Sequence, residues 1–142
     1  MLKRILCTCL ILASSIIFAH NNPVIVKIAN ATGIDCVLEK QMALYGDVSD
    51  ATPIPKAIFR DQTISFTMQS HESRRKAIVL NYTCGNRSAL FLTDITPFQG
   101  MLVSSGYELK SNNIHLDFSE VHNETGRILD KSPVEVYWRL TR

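Results

Sequence analysis

The sequence lacks the motifs that usually identify an enzyme or a metal protein. Its four cysteines include no C-x-x-C pair, and none of its six glycines belongs to a G-x-S-x-G nucleophile motif. No window of helical length carries a sustained apolar i, i+3, i+4 stripe, which argues against a helical fold. The 142 residues show no internal repeat, low-complexity tract or second domain. A small non-helical domain without an evident catalytic set is therefore expected.

No apolar run is long enough to span a membrane, but a shorter one begins the chain. Lys3 and Arg4 form a positive n-region, residues 5–18 an apolar h-region, and Ala19 offers a small residue for cleavage. A run of about 15 apolar residues is shorter than the roughly 20 that cross a bilayer. We predict a signal peptide over residues 1–19 and a domain over 20–142. Export to the periplasm or the extracellular space follows, with no integral membrane segment after cleavage.

Removal of this segment changes the charge and the cysteine count. It removes two of the 15 basic residues and leaves 13, equal to the number of acidic residues, so a nucleic-acid partner is not expected. Cys7 and Cys9 leave with it, and Cys36 and Cys84 remain. Two distant cysteines in an exported chain predict one disulfide rather than a metal site or a redox pair. Closing that loop should stabilise the fold by roughly 4 kcal/mol in the chain-entropy model.

Alternation of apolar and polar residues gives the fold class. The pattern has the period of two that is typical of half-buried strands, and it recurs over residues 24–29, 36–44, 63–68, 114–118 and 134–140. We predict an all-β protein, a single antiparallel β-sandwich of about eight strands, immunoglobulin-like or jelly-roll-like, with a barrel as the alternative.

One strand should lie at the centre of this sandwich. Ile78, Leu80, Tyr82 and Cys84 share one parity, and Val79 is apolar on the other, which indicates a strand covered on both faces. Residues 85–87 predict a tight hairpin turn after it. Breaker-rich segments over 46–55 and 96–100, and at Ser105 and Gly106, predict loops.

Two polar clusters are candidate sites. Arg74, Arg75 and Lys76 form a dense basic cluster that is suited to an anion or an acidic partner, although a charged flank also protects an apolar strand from aggregation. His115 and Asp117 lie on one strand face and are candidate metal ligands. The polar residues Glu120, His122 and Glu124 follow them, but nothing fixes a third ligand, so a solvated strand face is favoured.

The remaining candidates are weaker. Ser104, Ser105 and Gly106 form the one stretch that could bend into a nucleophile turn, but it lacks the G-x-S-x-G motif that usually surrounds a serine nucleophile. Tyr137 is expected to face outward, and the aromatic residues beside loops could grip a partner or a membrane; they are Tyr45, Phe98 and Tyr107. We therefore predict no catalytic residue, no cofactor and no resident metal.

Several short segments carry a resemblance to known proteins. The chain resembles small uncharacterised secreted proteins of intracellular Gram-negative bacteria along nearly its whole mature length, through segments at 30–32, 36–38, 55–58, 65–66, 80–85 and 136–140. An early turn with Asn30, Thr32 and Gly33 is similar to that of aegerolysin-type β-sandwiches, which implies lipid binding. The segment Tyr82 to Gly85, with Ser105, Gly106 and Tyr107, resembles in part the periplasmic lysozyme inhibitors.

These observations favour a non-enzymatic function. We predict a secreted or periplasmic binding protein, host-facing if it is exported further, whose partner is a protein or a lipid surface. The alternatives are an inhibitor of a lysozyme-like envelope hydrolase and an aegerolysin-like lipid-binding module. The oligomeric state stays open.

Overall fold

The structure, a computed structural model, describes residues 23–70, 75–99, 101–121 and 133–142, and within these ranges the chain forms strands and no helix. The predicted signal peptide lies outside the described residues. The strands in chain order are β1 (Val24–Asn30), β2 (Cys36–Tyr45), β3 (Asp47–Val48), β4 (Ala57–Ile58), β5 (Thr63–Gln69), β6 (Lys76–Cys84), β7 (Arg87–Phe98), β8 (Met101–Asn112), β9 (His115–Val121) and β10 (Val134–Thr141).

The strands form two five-stranded sheets. Sheet 1 has the order β3-β5-β1-β10-β9, and sheet 2 has the order β4-β2-β6-β7-β8. Strands β1 and β10 pair in parallel, whereas the other paired strands are antiparallel. The predicted all-β sandwich is confirmed. The strand number exceeds the predicted eight partly because β3 and β4 have two residues each, too few to show an alternation.

The core lies between the sheets, and three aromatic rings contact one another across it. Trp138 of sheet 1 contacts Phe91 of sheet 2, with ring centroids 4.6 Å apart, and Phe118 of its neighbouring strand at 4.9 Å. The indole Nε1 of Trp138 donates a hydrogen bond of 2.8 Å to Oγ1 of Thr93 on β7. This bond satisfies two buried polar groups and links the sheets, so it favours one position of β10 relative to β7.

The predicted central strand is confirmed as β6, which lies in the middle of sheet 2. Cys84 at its end forms the predicted disulfide with Cys36 at the start of β2. Both strands belong to the same sheet, so the bridge holds sheet 2 together at one end. The two-residue hairpin of Gly85 and Asn86 follows, and Gly85 has a φ of +66°.

A buried asparagine closes the same end of the sandwich. The amide of Asn30 donates to the carbonyls of Ile34 (2.7 Å) and Ile58 (2.9 Å). Its oxygen accepts from the backbone N–H of Thr32 (3.0 Å) and from the Thr32 hydroxyl (2.7 Å). All four hydrogen-bonding positions of the side chain are thus used inside the protein. The early Asn-x-Thr segment therefore has a structural role in joining β1 to the turns around β4 and Cys36.

The strand boundaries correct the predicted breaks. The segment around Ser105 and Gly106 continues through one strand, β8, whose pairing with β7 is unbroken there. Phe118 lies against Gly106, where a Cβ would be 2.3 Å from Cγ of Phe118. Strand β7 extends to Phe98, past Pro97. This is tolerated because pairing with β6 ends at Ile95, so the proline removes no hydrogen bond on that side. The predicted loop over 46–55 contains the short strand β3.

Candidate binding surface

An apolar row crosses the outer face of sheet 2. The cross-strand register places Met42 opposite Val79, Val79 opposite Leu92, and Leu92 opposite Tyr107. The parity of β6 turns this row away from the core, because Ile78 and Leu80 face inward. Met42 is 43% exposed and Tyr107 is 50% exposed, while Val79 between its neighbours is only 7% exposed. The row therefore places four apolar side chains next to one another on the outer side of sheet 2, with the two at its ends half-exposed.

Irregularities in two strands widen this row into a patch. Strand β2 shifts register between Ala43 and Tyr45, and β8 shifts opposite the step from Leu90 to Phe91. The unmatched residues at these shifts are Leu44 and Leu109, and both are exposed. We call the outer face formed by the following residues the apolar face: Met42, Leu44, Val79, Leu92, Tyr107 and Leu109. Contiguous exposed apolar surface of this kind is typical of interaction sites.

An ion pair borders one side of the apolar face. The guanidinium of Arg75 donates to both carboxylate oxygens of Asp94, from Nε at 3.1 Å and from Nη2 at 2.8 Å. The same guanidinium lies over the ring of Tyr45, 4.2 Å from its centroid. The hydrogen bonds from Arg75, together with that from the Thr96 hydroxyl, hold the pKa of Asp94 below its ordinary value. The pKa of Arg75 is raised, chiefly by the same hydrogen bonds.

Two lysines border the other side. The next register row contains Lys40 on β2, Asn81 on β6, Leu90 on β7 and Lys110 on β8. Both lysines are exposed at the two ends of this row. One side of the apolar face therefore carries two cationic side chains, a combination that favours contact with an anionic surface.

The predicted basic cluster is divided in the structure. Arg75 belongs to the ion pair just described, whereas Lys76 begins β6 on the inward parity and is 1% exposed. Burial lowers the pKa of Lys76 below its ordinary value of 10.5. Arg74 lies outside the described residues. An anion- or partner-binding role for the three residues together stays a prediction.

The predicted metal candidates lie on the other sheet. His115 and Asp117 share the outer face of β9, and Nε2 of His115 is 3.0 Å from Oδ1 of Asp117. Both side chains are well exposed, and Glu120 has the opposite, inward parity. In the part of the chain that the structure describes, no group of three His, Cys, Asp or Glu residues is close enough to hold a metal ion. His122 and Glu124 lie outside that part.

The remaining candidates divide between core and surface. Ser104 and Ser105 lie in the regular ladder between β7 and β8, not in a bent turn. Tyr137 faces outward on sheet 1, as its parity predicts, opposite Lys27. The loop-flanking aromatics are exposed, and Tyr107 belongs to the apolar face. The lysozyme-inhibitor hypothesis stays a prediction, and the structure gives Gly106 a packing role against Phe118.

Sequence reasoning missed most of the apolar face. Val79 was attributed to a strand covered on both sides, whereas its outer side chain is enclosed by its neighbours within sheet 2. A signal did exist, because β7 is apolar on both parities: Leu90 and Leu92 alternate with the core residues Ala89 and Phe91. Without the register of the neighbouring strands, that signal does not distinguish a second buried layer from an exposed patch.

Among the described residues, no helix has the length and apolarity of a membrane span. No protein-family model matches the chain, and the search of curated proteins found no sequence match. Solved structures do share the fold. The lipid-binding protein Nakanori superposes with a TM-score of 0.60 at 12% identity, covering 85% of this chain and 71% of its own. The protein IP-1A from Alcaligenes faecalis gives a TM-score of 0.57 at 12% identity, covering 87% of this chain and 93% of its own.

Proposed function

We propose that this chain is a non-enzymatic binding module that docks on an anionic lipid surface through the apolar face of sheet 2. The observation that carries the proposal is the outward apolar row of Met42, Val79, Leu92 and Tyr107, half-exposed at its two ends, between an ion-paired arginine and two lysines. Apolar and aromatic side chains enter the interface between headgroups and acyl chains, and lysines at the edge attract anionic headgroups. The fold shared with a lipid-binding protein supports this choice of partner.

Export also belongs to the proposal. The disulfide between Cys36 and Cys84 is stable only where thiols are oxidised, which fits the periplasm or the extracellular space. We propose that residues 1–19 direct the chain there and are then removed. Detection of the mature chain beginning at His20 by mass spectrometry of an envelope or culture fraction would test this step.

Co-sedimentation with vesicles tests the lipid proposal. The disulfide-bonded domain should bind vesicles of phosphatidylcholine and phosphatidylglycerol, and a Met42→Ser, Tyr107→Ser double variant should bind at least tenfold more weakly. Burial of each apolar side chain contributes about 1.5–3 kcal/mol, so loss of two half-exposed ones accounts for that factor. Tyr137→Ser, which removes an aromatic ring from sheet 1, is the matched control and should bind as the wild type does.

Three results would overturn the lipid proposal. The wild-type domain could fail to sediment with vesicles, the double variant could bind unchanged, or Tyr137→Ser could weaken binding as much as the double variant. Circular dichroism and thermal unfolding of each variant would show that the change lies in binding and not in folding. A partner protein that competes for the apolar face while vesicles do not bind would assign the surface to a protein instead.

A further inference from the structure

A polar cleft opens at the end of the sandwich that holds the disulfide. It has a volume of about 520 Å³ and lies where the β6–β7 hairpin, the turn after β8 and the end of β10 meet. Among its lining residues are Asn86, Arg87, Glu108, Ser111, Asn113 and Arg142. Its lining differs from the apolar face on the flat side of sheet 2, since it includes two guanidinium groups from opposite sheets.

Arg87 is the first unusual feature of the cleft. It lies on the inward parity of β7, two residues before the buried Ala89. Its Nη1 is buried, and no acceptor in the described ranges lies within hydrogen-bonding distance of it. Buried guanidinium donors are almost always hydrogen-bonded, because leaving one without an acceptor is costly. Because Arg87 also lines the cleft, a small shift of its side chain would let a ligand there supply the missing acceptor.

Arg142 provides the second guanidinium, and its position is fixed. Its Nε donates a hydrogen bond of 2.6 Å to the carbonyl of Thr32. The group lies against Gly33, where a Cβ would be 2.8 Å from Nη2. Gly33, with a φ of +81°, therefore leaves the space that this guanidinium occupies. A side chain held in this way loses little entropy when it binds an anion.

The acidic side chain in the cleft, Glu108, has a partner other than the two arginines. Oε1 of Glu108 accepts a hydrogen bond from the hydroxyl of Ser111. The ion pairs of the described residues do not include one between Glu108 and either arginine. His115 lines the cleft as well, and its Nε2 pairs with Asp117. The two guanidinium groups therefore keep their charge available to a ligand.

We propose that this cleft binds a phosphate group between Arg87 and Arg142, either free in solution or carried by a lipid headgroup. Two permanent positive charges match a phosphate dianion better than a single carboxylate, and the planar donor forks of arginine suit its oxygens. Hydrogen-bond donors from Asn86 and Asn113 lie in the same lining. This site is independent of the apolar face, and it holds whether or not that face contacts a membrane.

Calorimetric titration of the disulfide-bonded domain with inorganic phosphate, in a chloride buffer of low ionic strength, tests the site. Saturable binding is expected, and Arg87→Gln should weaken it about tenfold or more because charge-assisted hydrogen bonds are lost. Glu108→Gln should strengthen it several-fold, since it removes a negative charge from the cleft. Lys27→Gln is the matched control: it removes one positive charge from the outer face of sheet 1 and should change the affinity less than twofold.

The outcomes separate cleanly. Absence of saturable phosphate binding, an equal loss in Arg87→Gln and Lys27→Gln, or an unchanged affinity in Glu108→Gln would each overturn the proposal. If Arg87→Gln does not fold, the affinity of Glu108→Gln still tests the proposal. Competition between phosphate and phosphatidic-acid vesicles would identify a headgroup as the source, and lack of competition a soluble phosphate compound. The Met42→Ser, Tyr107→Ser variant should keep its phosphate affinity, so failure of the lipid proposal is distinguishable from failure of this one.

Discussion

The two sheets share one core but present opposite chemistry to solvent. Across the middle of sheet 1 the outward row consists of Ser65, Lys27, Tyr137 and Ser119. The equivalent row of sheet 2 consists of Met42, Val79, Leu92 and Tyr107. On sheet 1, Lys27 also forms an ion pair of 2.9 Å with Glu135. A polar outward row, as on sheet 1, is expected for a sheet with one solvated face, whereas the apolar outward row of sheet 2 is not.

The difference shows that stability does not explain the apolar face. Both sheets obtain their hydrophobic stabilisation from the inward residues, so a polar outer face would serve sheet 2 equally well. An exposed apolar patch carries a risk of aggregation, which makes sense when the patch has a partner. The comparison therefore supports a binding role for sheet 2 and a merely solvated role for the outer face of sheet 1.

The largest expected effect comes from breaking sheet 2 at its disulfide. Cys36→Ser should lower the free energy of unfolding by about 4 kcal/mol, because the 48-residue separation between the cysteines is no longer constrained in the unfolded chain. Thermal or urea unfolding would measure the loss, and reduction of the wild-type protein should reproduce it. Hydrogen exchange should increase in β2 before it increases in sheet 1. Equal stability before and after reduction would contradict this account.

A smaller loss is expected where β8 of sheet 2 approaches β9 of sheet 1. Gly106→Ala should destabilise the fold by about 2–3 kcal/mol, since the new methyl group would overlap the ring of Phe118. Ser105→Ala, on the outward side of the same strand, is the matched control and should be nearly neutral. In a Phe118→Leu background, Gly106→Ala should lower the free energy of unfolding by less than it does in the wild type, because the ring it overlaps is gone. An equal loss in both backgrounds would argue against the overlap.

Charge at the edge of the apolar face should affect binding but not folding. Lys110→Gln should weaken binding to phosphatidylglycerol-containing vesicles by about 1 kcal/mol, or roughly fivefold. Lys27→Gln on sheet 1 is the control and should bind unchanged. Vesicle sedimentation at two salt concentrations would measure the affinity of both variants. The loss of affinity in Lys110→Gln should be smaller at the higher salt concentration, because salt screens the charge. Equal effects of the two variants would remove the distinction between the faces.

The smallest effect concerns acid stability at the Arg75–Asp94 pair. Because the pKa of Asp94 is lowered in the folded state, its stabilising contribution is present above the ordinary value of 3.8 and is lost as the pH falls through the lower folded value. Asp94→Asn should therefore be slightly less stable than the wild type at pH 6, and this difference should shrink below about pH 4. Thermal unfolding across this range checks it.

Sequence reasoning succeeded where one strand carries its own signal. The alternation of Ile64, Phe66 and Met68 places β5 correctly, and that of Val136, Trp138 and Leu140 places β10. The pairing of Cys36 with Cys84 followed from the predicted loss of the other two cysteines. These features depend on parity and composition alone, which are properties of the local chain.

Features that depend on partners across space were not predictable. The space that Gly106 leaves in β8 is filled by Phe118, which comes from the other sheet, so the local sequence does not show why a glycine stands within a strand. Arg75 and Lys76 are neighbours in the sequence, yet successive strand residues face opposite ways, and one lies at the surface while the other is buried. A basic cluster in the sequence thus became an ion pair and a buried lysine.

Side-chain parity and cysteine count belong to the chain itself, and they are enough to predict a disulfide-bonded β-sandwich with β6 at its centre. Which sheet has an apolar outer face, and which arginines line one cleft, depends on how the strands pair in the folded protein. Met42 and Tyr107 lie in one row, and Arg87 and Arg142 line one cleft, only after strands distant in sequence have aligned in register. Binding sites on this scaffold arise from that alignment.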